Sequence, residues 1–246
     1  MWIFLWDTAP SKIFVGDNEV SKVFVWDTQV RPSGWWWQPW ANTILYYSFN
    51  NTLNDGSWNN YNLTNSWTTF VTLNSDKKVL SVEQASATYT WWPNLVWESI
   101  TVSFWFADTA TRTWLSNRSY VHLVNDIVQV THAWPKQNNR LYASVQWQNN
   151  YEQAPIYNDT NVWHHVVITF DDSTKQQKEY VDNSLKSTTT YSNWISGTIS
   201  QIKIWWTGYA WEVHFKIGDV ILEDKVWTDQ EIEDYYNQTK ADYWIS

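Results

Sequence analysis

Short runs of β-branched and aromatic residues, separated by Asn- and Thr-rich turns, recur along almost all of this 246-residue chain. No long amphipathic helical pattern interrupts them until the last twenty residues. That texture is the strongest constraint on the fold, because a period of two fits a strand with one buried face and cannot be met by a helix. In Arg118-Ser119-Tyr120-Val121-His122-Leu123, Val121 and Leu123 share one face and Arg118, Tyr120 and His122 the other. In the run from Arg140 to Gln146, Leu141, Ala143 and Val145 point inward while Arg140, Tyr142, Ser144 and Gln146 point away. The expected fold class is all-β. The one helix expected opens at Thr228-Asp229-Gln230-Glu231, a capping box, and runs through Ile232, Tyr235 and Tyr236.

The first thirty residues add a ten-residue repeat: Ile3-Phe4-Leu5-Trp6-Asp7-Thr8, Ile13-Phe14-Val15-Gly16-Asp17-Asn18 and Val23-Phe24-Val25-Trp26-Asp27-Thr28. Each unit is a short apolar run, a turn and a polar segment. Residues 1–33 therefore read as a small β-hairpin stack, too slight to be stable alone and expected to anchor on something larger. Residues 34–40 read as a linker and 41–246 as one large domain. The fourth repeat position holds Trp, Gly and Trp, where a tight turn needs positive φ, which glycine adopts freely and an indole does not. The whole chain shows the same imbalance, with six glycines and 23 tryptophans, against an ordinary glycine share of about 7%. Two readings fit. In one, UGA codons that specify glycine are printed as tryptophan; in the other, the tryptophans form an aromatic surface of the kind sugar-binding proteins use.

Other classes are disfavoured. The net charge is −9 with no Lys/Arg cluster, so no nucleic-acid partner is expected. The absence of cysteine removes disulfides, thiol catalysis and thiolate metal sites. No stretch of eighteen apolar residues suggests a membrane span, and the start lacks the basic lead of a secretion signal. A role outside the cell would then need another exit, such as release with a virus particle. His164 and His165 are adjacent on a predicted strand and point to opposite faces, so they cannot chelate one metal. No run of paired carboxylates lies on a predicted strand, which argues against glycoside hydrolysis.

Three segments resemble the laminin G-like branch of the concanavalin A-like lectin/glucanase superfamily. Leu45-Tyr46-Tyr47-Ser48-Phe49-Asn50 with the following Asn54 to Leu63 is similar to the opening strand and its Asx-rich loop. Ile100 to Phe106 is similar to the central core strand, and Trp163 to Asp171 with Glu179 to Asn183 to the "WHHVAVTFD…LYVDG" hairpin. Gly218 to Leu222 and the Thr228 helix resemble the family's closing strand and helix. The resemblance implies a two-sheet antiparallel jelly-roll sandwich. It also sorts the tryptophans: Trp105 and Trp163 stand where the family uses Trp, whereas Trp58, Trp91, Trp92, Trp97, Trp205, Trp206 and Trp211 stand where it often carries glycine.

Such domains often bind one Ca²⁺ between the opening loop and the closing strand. The resemblance places Asn54, Asp55, Asn59 and Asp219 there, and hard oxygen ligands suit that ion. An Asx-rich turn bonding its own backbone explains the same composition. The common role in the superfamily is carbohydrate recognition. Arg118, Tyr120, His122, Tyr142 and Gln146, read as the outer faces of two neighbouring strands, form the candidate sugar site, since pyranose rings stack on aromatic faces and amides bond hydroxyls. An ordinary solvated sheet face gives the same pattern. The N-terminal decads resemble short repeats at the start of phage and prophage tail or surface proteins. Together these imply a non-catalytic adhesion module, extracellular or virion-associated, that meets cell-surface carbohydrate. The alternative is a structural virion or surface protein whose jelly roll contacts other subunits.

Overall fold

The computed structural model describes residues 42–66, 68–74, 77–83, 86–89, 95–97, 99–109, 118–124, 128–132, 140–144, 154–155, 161–191, 197–199, 201–206 and 214–243, together with four short N-terminal strands. The chain divides into two compact units, Met1–Trp40 and Ala41–Ser246. In the first, β1 (Phe14–Val15) pairs with β2 (Asn18–Glu19), and β3 (Val23–Val25) with β4 (Thr28–Val30), both antiparallel. Each pair spans a two-residue connection, Gly16-Asp17 and Trp26-Asp27, that lies outside the described residues, as does Trp6.

The strands of the second unit are β5 (Thr43–Tyr47), β6 (Thr64–Ser66), β7 (Thr69–Thr72), β8 (Lys78–Glu83), β9 (Ser86–Tyr89), β10 (Leu95–Trp97) and β11 (Ser99–Asp108). They continue with β12 (Arg118–Val124), β13 (Val128–His132), β14 (Arg140–Ser144), β15 (Ala154–Pro155), β16 (His164–Asp171) and β17 (Gln176–Val181). The last are β18 (Ser184–Thr190), β19 (Gly197–Ile199), β20 (Gln201–Trp206) and β21 (His214–Glu223), before the helix α1 (Asp229–Thr239). Among the described residues they form an all-β structure. An eight-stranded antiparallel sheet runs β18-β17-β16-β11-β21-β8-β7, with β5 also on β21, and a seven-stranded one runs β15-β14-β13-β12-β20-β9-β6.

Alternation decides what each strand of the larger sheet buries. On β11, Ile100, Val102, Phe104 and Phe106 join the hydrophobic core, with Val166, Ile168 and Phe170 of β16 and Val220 and Leu222 of β21. Ile202 and Ile204 of β20 and Ala87 of β9 bring the second sheet to the same core, which makes the unit a sandwich. Burying such a run of aliphatic and aromatic side chains contributes roughly 1.5–3 kcal/mol apiece.

The alternate residues of β11, namely Thr101, Ser103 and Trp105, are equally buried, because α1 covers that face. The Trp105 indole donates to Thr239 Oγ1 at 3.1 Å, and the Trp227 backbone N–H donates to Thr101 Oγ1 at 2.9 Å. Thr228 caps α1 as expected: the Glu231 N–H donates to its hydroxyl, and the Glu231 carboxylate accepts the Thr228 N–H at 2.8 Å. Ile232, Tyr235 and Thr239 form the buried face of α1.

The β11–β21 register shifts at Trp105, where Phe104 faces Val220 and Phe106 faces Ile217. Gly218 and Asp219 thus oppose one residue, a β-bulge. The Tyr243 ring lies over it, so that a Cβ on Gly218 would stand 2.2 Å from Tyr243 Oη. Glycine is required there by close approach.

Candidate functional site

The seven-stranded sheet carries the candidate ligand residues, and its register corrects one expectation. β12 and β14 are not neighbours; β13 lies between them. A continuous row of opposed residues crosses six strands: Ser144, Gln129, His122, Lys203, Thr88 and Thr64. Ile202 and Ile204 flank Lys203 and are buried, whereas Lys203 and Thr88 are half-buried and Thr64 is exposed, so the β20-β9-β6 end of this row lies on the outer surface of the sheet. Tyr142 opposes Thr131, two residues along β13 from Gln129. Arg118 opposes His132, and the register shifts between Ser119 and Val121, around Tyr120. That shift interrupts the strict alternation by which Arg118, Tyr120 and His122 would form one set. Gln146 lies outside the described residues. Gln129, Lys203 and Thr88 join the row although they were not singled out in the sequence. The legible signal for Lys203 was its position between two isoleucines.

The opening loop presents a different chemistry. Asp55 Oδ1 accepts the backbone N–H groups of Tyr46 and Ser57, both at 2.9 Å. Its Oδ2 accepts the Ser57 hydroxyl at 2.6 Å and the Tyr61 N–H at 3.0 Å. Asn59 Nδ2 donates to the Ile44 carbonyl at 2.8 Å, and the exposed Asn54 gives its N–H to Thr52 Oγ1 at 3.0 Å. Asp55 therefore staples loop 54–62 to β5 as an extended Asx turn. Asp219 is 3% exposed and receives the Lys77 ammonium at 2.7 Å and the Tyr46 hydroxyl at 3.5 Å. Asp55 and Asp219 thus meet opposite ends of Tyr46, its backbone N–H and its phenol. Of the four residues expected to surround Ca²⁺, the two carboxylates Asp55 and Asp219 are each taken up by protein donors, while Asn54 and Asn59 act as donors themselves, so as arranged the carboxylates are not turned toward a shared ion. Among the described residues no group of three or more His, Asp or Glu side chains is placed to hold a metal.

The histidine pair divides between faces as strand geometry requires. His164 Nδ1 pairs with Asp182 Oδ2 at 2.7 Å and its ring tilts against Phe106. His165 lies beneath α1, its Nε2 2.8 Å from Ser103 Oγ and its ring stacked on Trp105. Burial drives the His165 pKa from 6.5 down to about 3, against a weaker upward pull from Asp182. Glu223 is buried beside Trp227 Nε1 at 2.5 Å and Thr43 Oγ1 at 3.0 Å. Burial pushes its carboxyl up, opposed by those bonds and by Lys225. These groups fasten the helix and the closing strand to the sheet. Among the described residues no helix is long and apolar enough to cross a membrane.

No family model and no curated protein sequence matches the chain. Solved structures do. The binding domain of botulinum neurotoxin serotype G is similar at TM-score 0.63 and 17% identity, over 81% of this chain and 52% of that one. The binding domain of botulinum neurotoxin DC in complex with rat synaptotagmin II gives 0.63 and 16%, over 80% and 51%. A type C structure, reported with cell entry dependent on two ganglioside molecules, gives 0.62 and 16%, over 80% and 51%. The chain spans about half the length of these structures. At such identities the likeness is one of fold, a β-sandwich also found in receptor-binding domains.

Proposed function

We propose that this chain is a non-catalytic recognition module that binds cell-surface carbohydrate on the outer surface of its seven-stranded sheet. The observation that carries this reading is the polar row Ser144–Gln129–His122–Lys203–Thr88–Thr64, with Tyr142 close to it in register. Amide, imidazole, ammonium and hydroxyl groups in one row match the alternating donors and acceptors of a sugar, and a tyrosine beside them offers a stacking face. The corresponding surface of the other sheet is occupied by α1 around β11, β16 and β21. The solved structures of similar fold support the class, since they include receptor-binding domains whose partners are gangliosides and a synaptotagmin. In this reading the N-terminal decad repeats serve as an anchoring strip for a phage tail or bacterial surface assembly, and the module works outside the cell.

The test is a glycan array probed with the full chain, followed by titration of the best ligand. Gln129→Ala, Tyr142→Ala and Lys203→Ala should each weaken binding at least tenfold while leaving the melting temperature within a few degrees. An array without signal, or binding indifferent to all three changes, would sink the reading. The synaptotagmin complex of a similar fold favours a second reading, a protein partner on the same surface. Pull-down with a glycan-stripped host surface separates the two.

A further inference from the structure

We propose that the Lys77 ammonium is this domain's built-in cation, standing at Asp219 where the laminin G-like resemblance assigns Ca²⁺, so that the unit holds together without a divalent ion. Four distant segments meet at this point. β5 sends the Tyr46 hydroxyl to Asp219, and the bulge of β21 supplies Asp219 itself. The C-terminal turn supplies Tyr243, whose hydroxyl accepts the Asp219 N–H at 2.8 Å, and the β7–β8 connection supplies Lys77. Lys77 Nζ also lies 5.4 Å from the Tyr243 ring centroid, over its face.

The lysine is held in place by its own backbone. Its N–H donates to Asn74 Oδ1 at 2.8 Å, its carbonyl accepts the Leu73 N–H at 2.9 Å, and Asn74 Nδ2 reaches the Asp242 carbonyl at 3.0 Å. Both side chains of the pair are almost fully buried, at 3% and 4% exposure. One ammonium against one carboxylate is neutral, whereas a calcium ion needs several oxygens at about 2.3–2.6 Å and more than one negative charge. An ion that close to Asp219 would collide with Nζ and be repelled by it. Asp55, the other carboxylate of the expected set, is saturated by four donors.

The experiment is thermal unfolding of the full chain in calcium chloride and in EDTA. The expected midpoints agree within about 1 °C, and calorimetric titration with Ca²⁺ gives no saturable heat. Lys77→Met should lower the midpoint by roughly 6–15 °C, the scale for stranding one buried charge in a unit of this size. Adding Asp219→Asn to it should restore most of that loss, because neither charge is then buried alone. Saturable calcium stabilisation of the unaltered chain overturns the proposal, as does Lys77→Met without loss. If Lys77→Met does not fold, the calcium comparison on the unaltered chain and the double variant still decide.

Discussion

Acidification should loosen the contact between α1 and the sheet, and His165 sets how much. Its ring is 1% exposed, stacked on Trp105 at 4.9 Å between centroids and tilted against Tyr235 at 5.2 Å. Nε2 meets Ser103 Oγ, and Nδ1 has no hydrogen-bond partner among the described residues. A second ring proton would therefore be buried without an acceptor, which is why the folded pKa falls to about 3 from 6.5. Because the folded value is depressed, the unfolded chain takes up the proton first as pH falls through 6.5. Stability is then lost down to about pH 3, and the effect is level beyond either limit. The full gap corresponds to about 5 kcal/mol, of which about 2 kcal/mol is lost between pH 7.5 and pH 5. For a unit of some 200 residues this lowers the melting temperature by roughly 4–8 °C. The assay is urea unfolding at both pH values for the native chain and for His165→Phe. The phenylalanine keeps the stack but strands the Ser103 hydroxyl, so it should cost about 1–3 kcal/mol at pH 7.5. Its loss on moving to pH 5 should be about 2 kcal/mol smaller than that of the native chain. Equal losses in the two proteins would refute the reasoning, because the acid sensitivity would then belong to other groups.

Two further outcomes follow from close packing. Gly218→Ala places a methyl 2.2 Å from Tyr243 Oη and 2.5 Å from its Cε1, so the ring must leave the bulge. A loss of about 1–3 kcal/mol in urea unfolding is expected, and an unchanged midpoint would contradict the close approach. Trp58 is 73% exposed while Trp105 is fully buried. Trp58→Gly should therefore stay within about 0.5 kcal/mol of the parent and Trp105→Gly should lose at least 3–5 kcal/mol. In the gene, the reassignment reading expects UGA at 58 and UGG at 105, and UGG at both would end it.

How much of this was legible in the sequence depended on whether a feature is local. The capping box at Thr228 needs four consecutive residues, and its geometry is present as expected. The Asp182-Asn183 hairpin likewise turns on two residues with positive φ, 51° and 59°, which Asp and Asn tolerate. The period of two set His164 and His165 on opposite faces of β16, since it needs no partner to be read. What failed depended on partners. The insertion of β13 between β12 and β14 is a matter of topology, and the shift near Tyr120 is a bulge that alternation alone does not announce. Asp55 carries the composition of a calcium loop and of an Asx turn equally, and only its four donors separate them. Lys77 gave no signal, because an isolated lysine is ordinarily at the surface and its partner lies 142 residues away.

The tryptophan question also changes once the fold is in view. The expectation of positive φ concerned the repeat turns at Trp6 and Trp26, which lie outside the described residues. Among the described residues the non-glycine positions with positive φ are Phe49, Asn51, Asn60, Asn161, Lys175, Asp182 and Asn183, with no tryptophan among them. Exposure separates the described tryptophans. Trp105, Trp163 and Trp227 are buried, and two of them donate their indole N–H to Thr239 and Glu223, so these positions need an indole. Trp58 stands outward, 73% exposed, on a loop whose backbone Asp55 fixes. Gly56 and Gly218, by contrast, are places where a Cβ would strike Tyr46 or Tyr243, so glycine is present where close approach demands it. A side chain required by packing and one tolerated by solvent are different claims on a sequence. The chain makes the first at 105, 163 and 227 and only the second at 58. If 58 is glycine, recognition falls to the polar row of the seven-stranded sheet; if it is tryptophan, a rigid loop holds an indole ready in solvent at little entropic cost to binding.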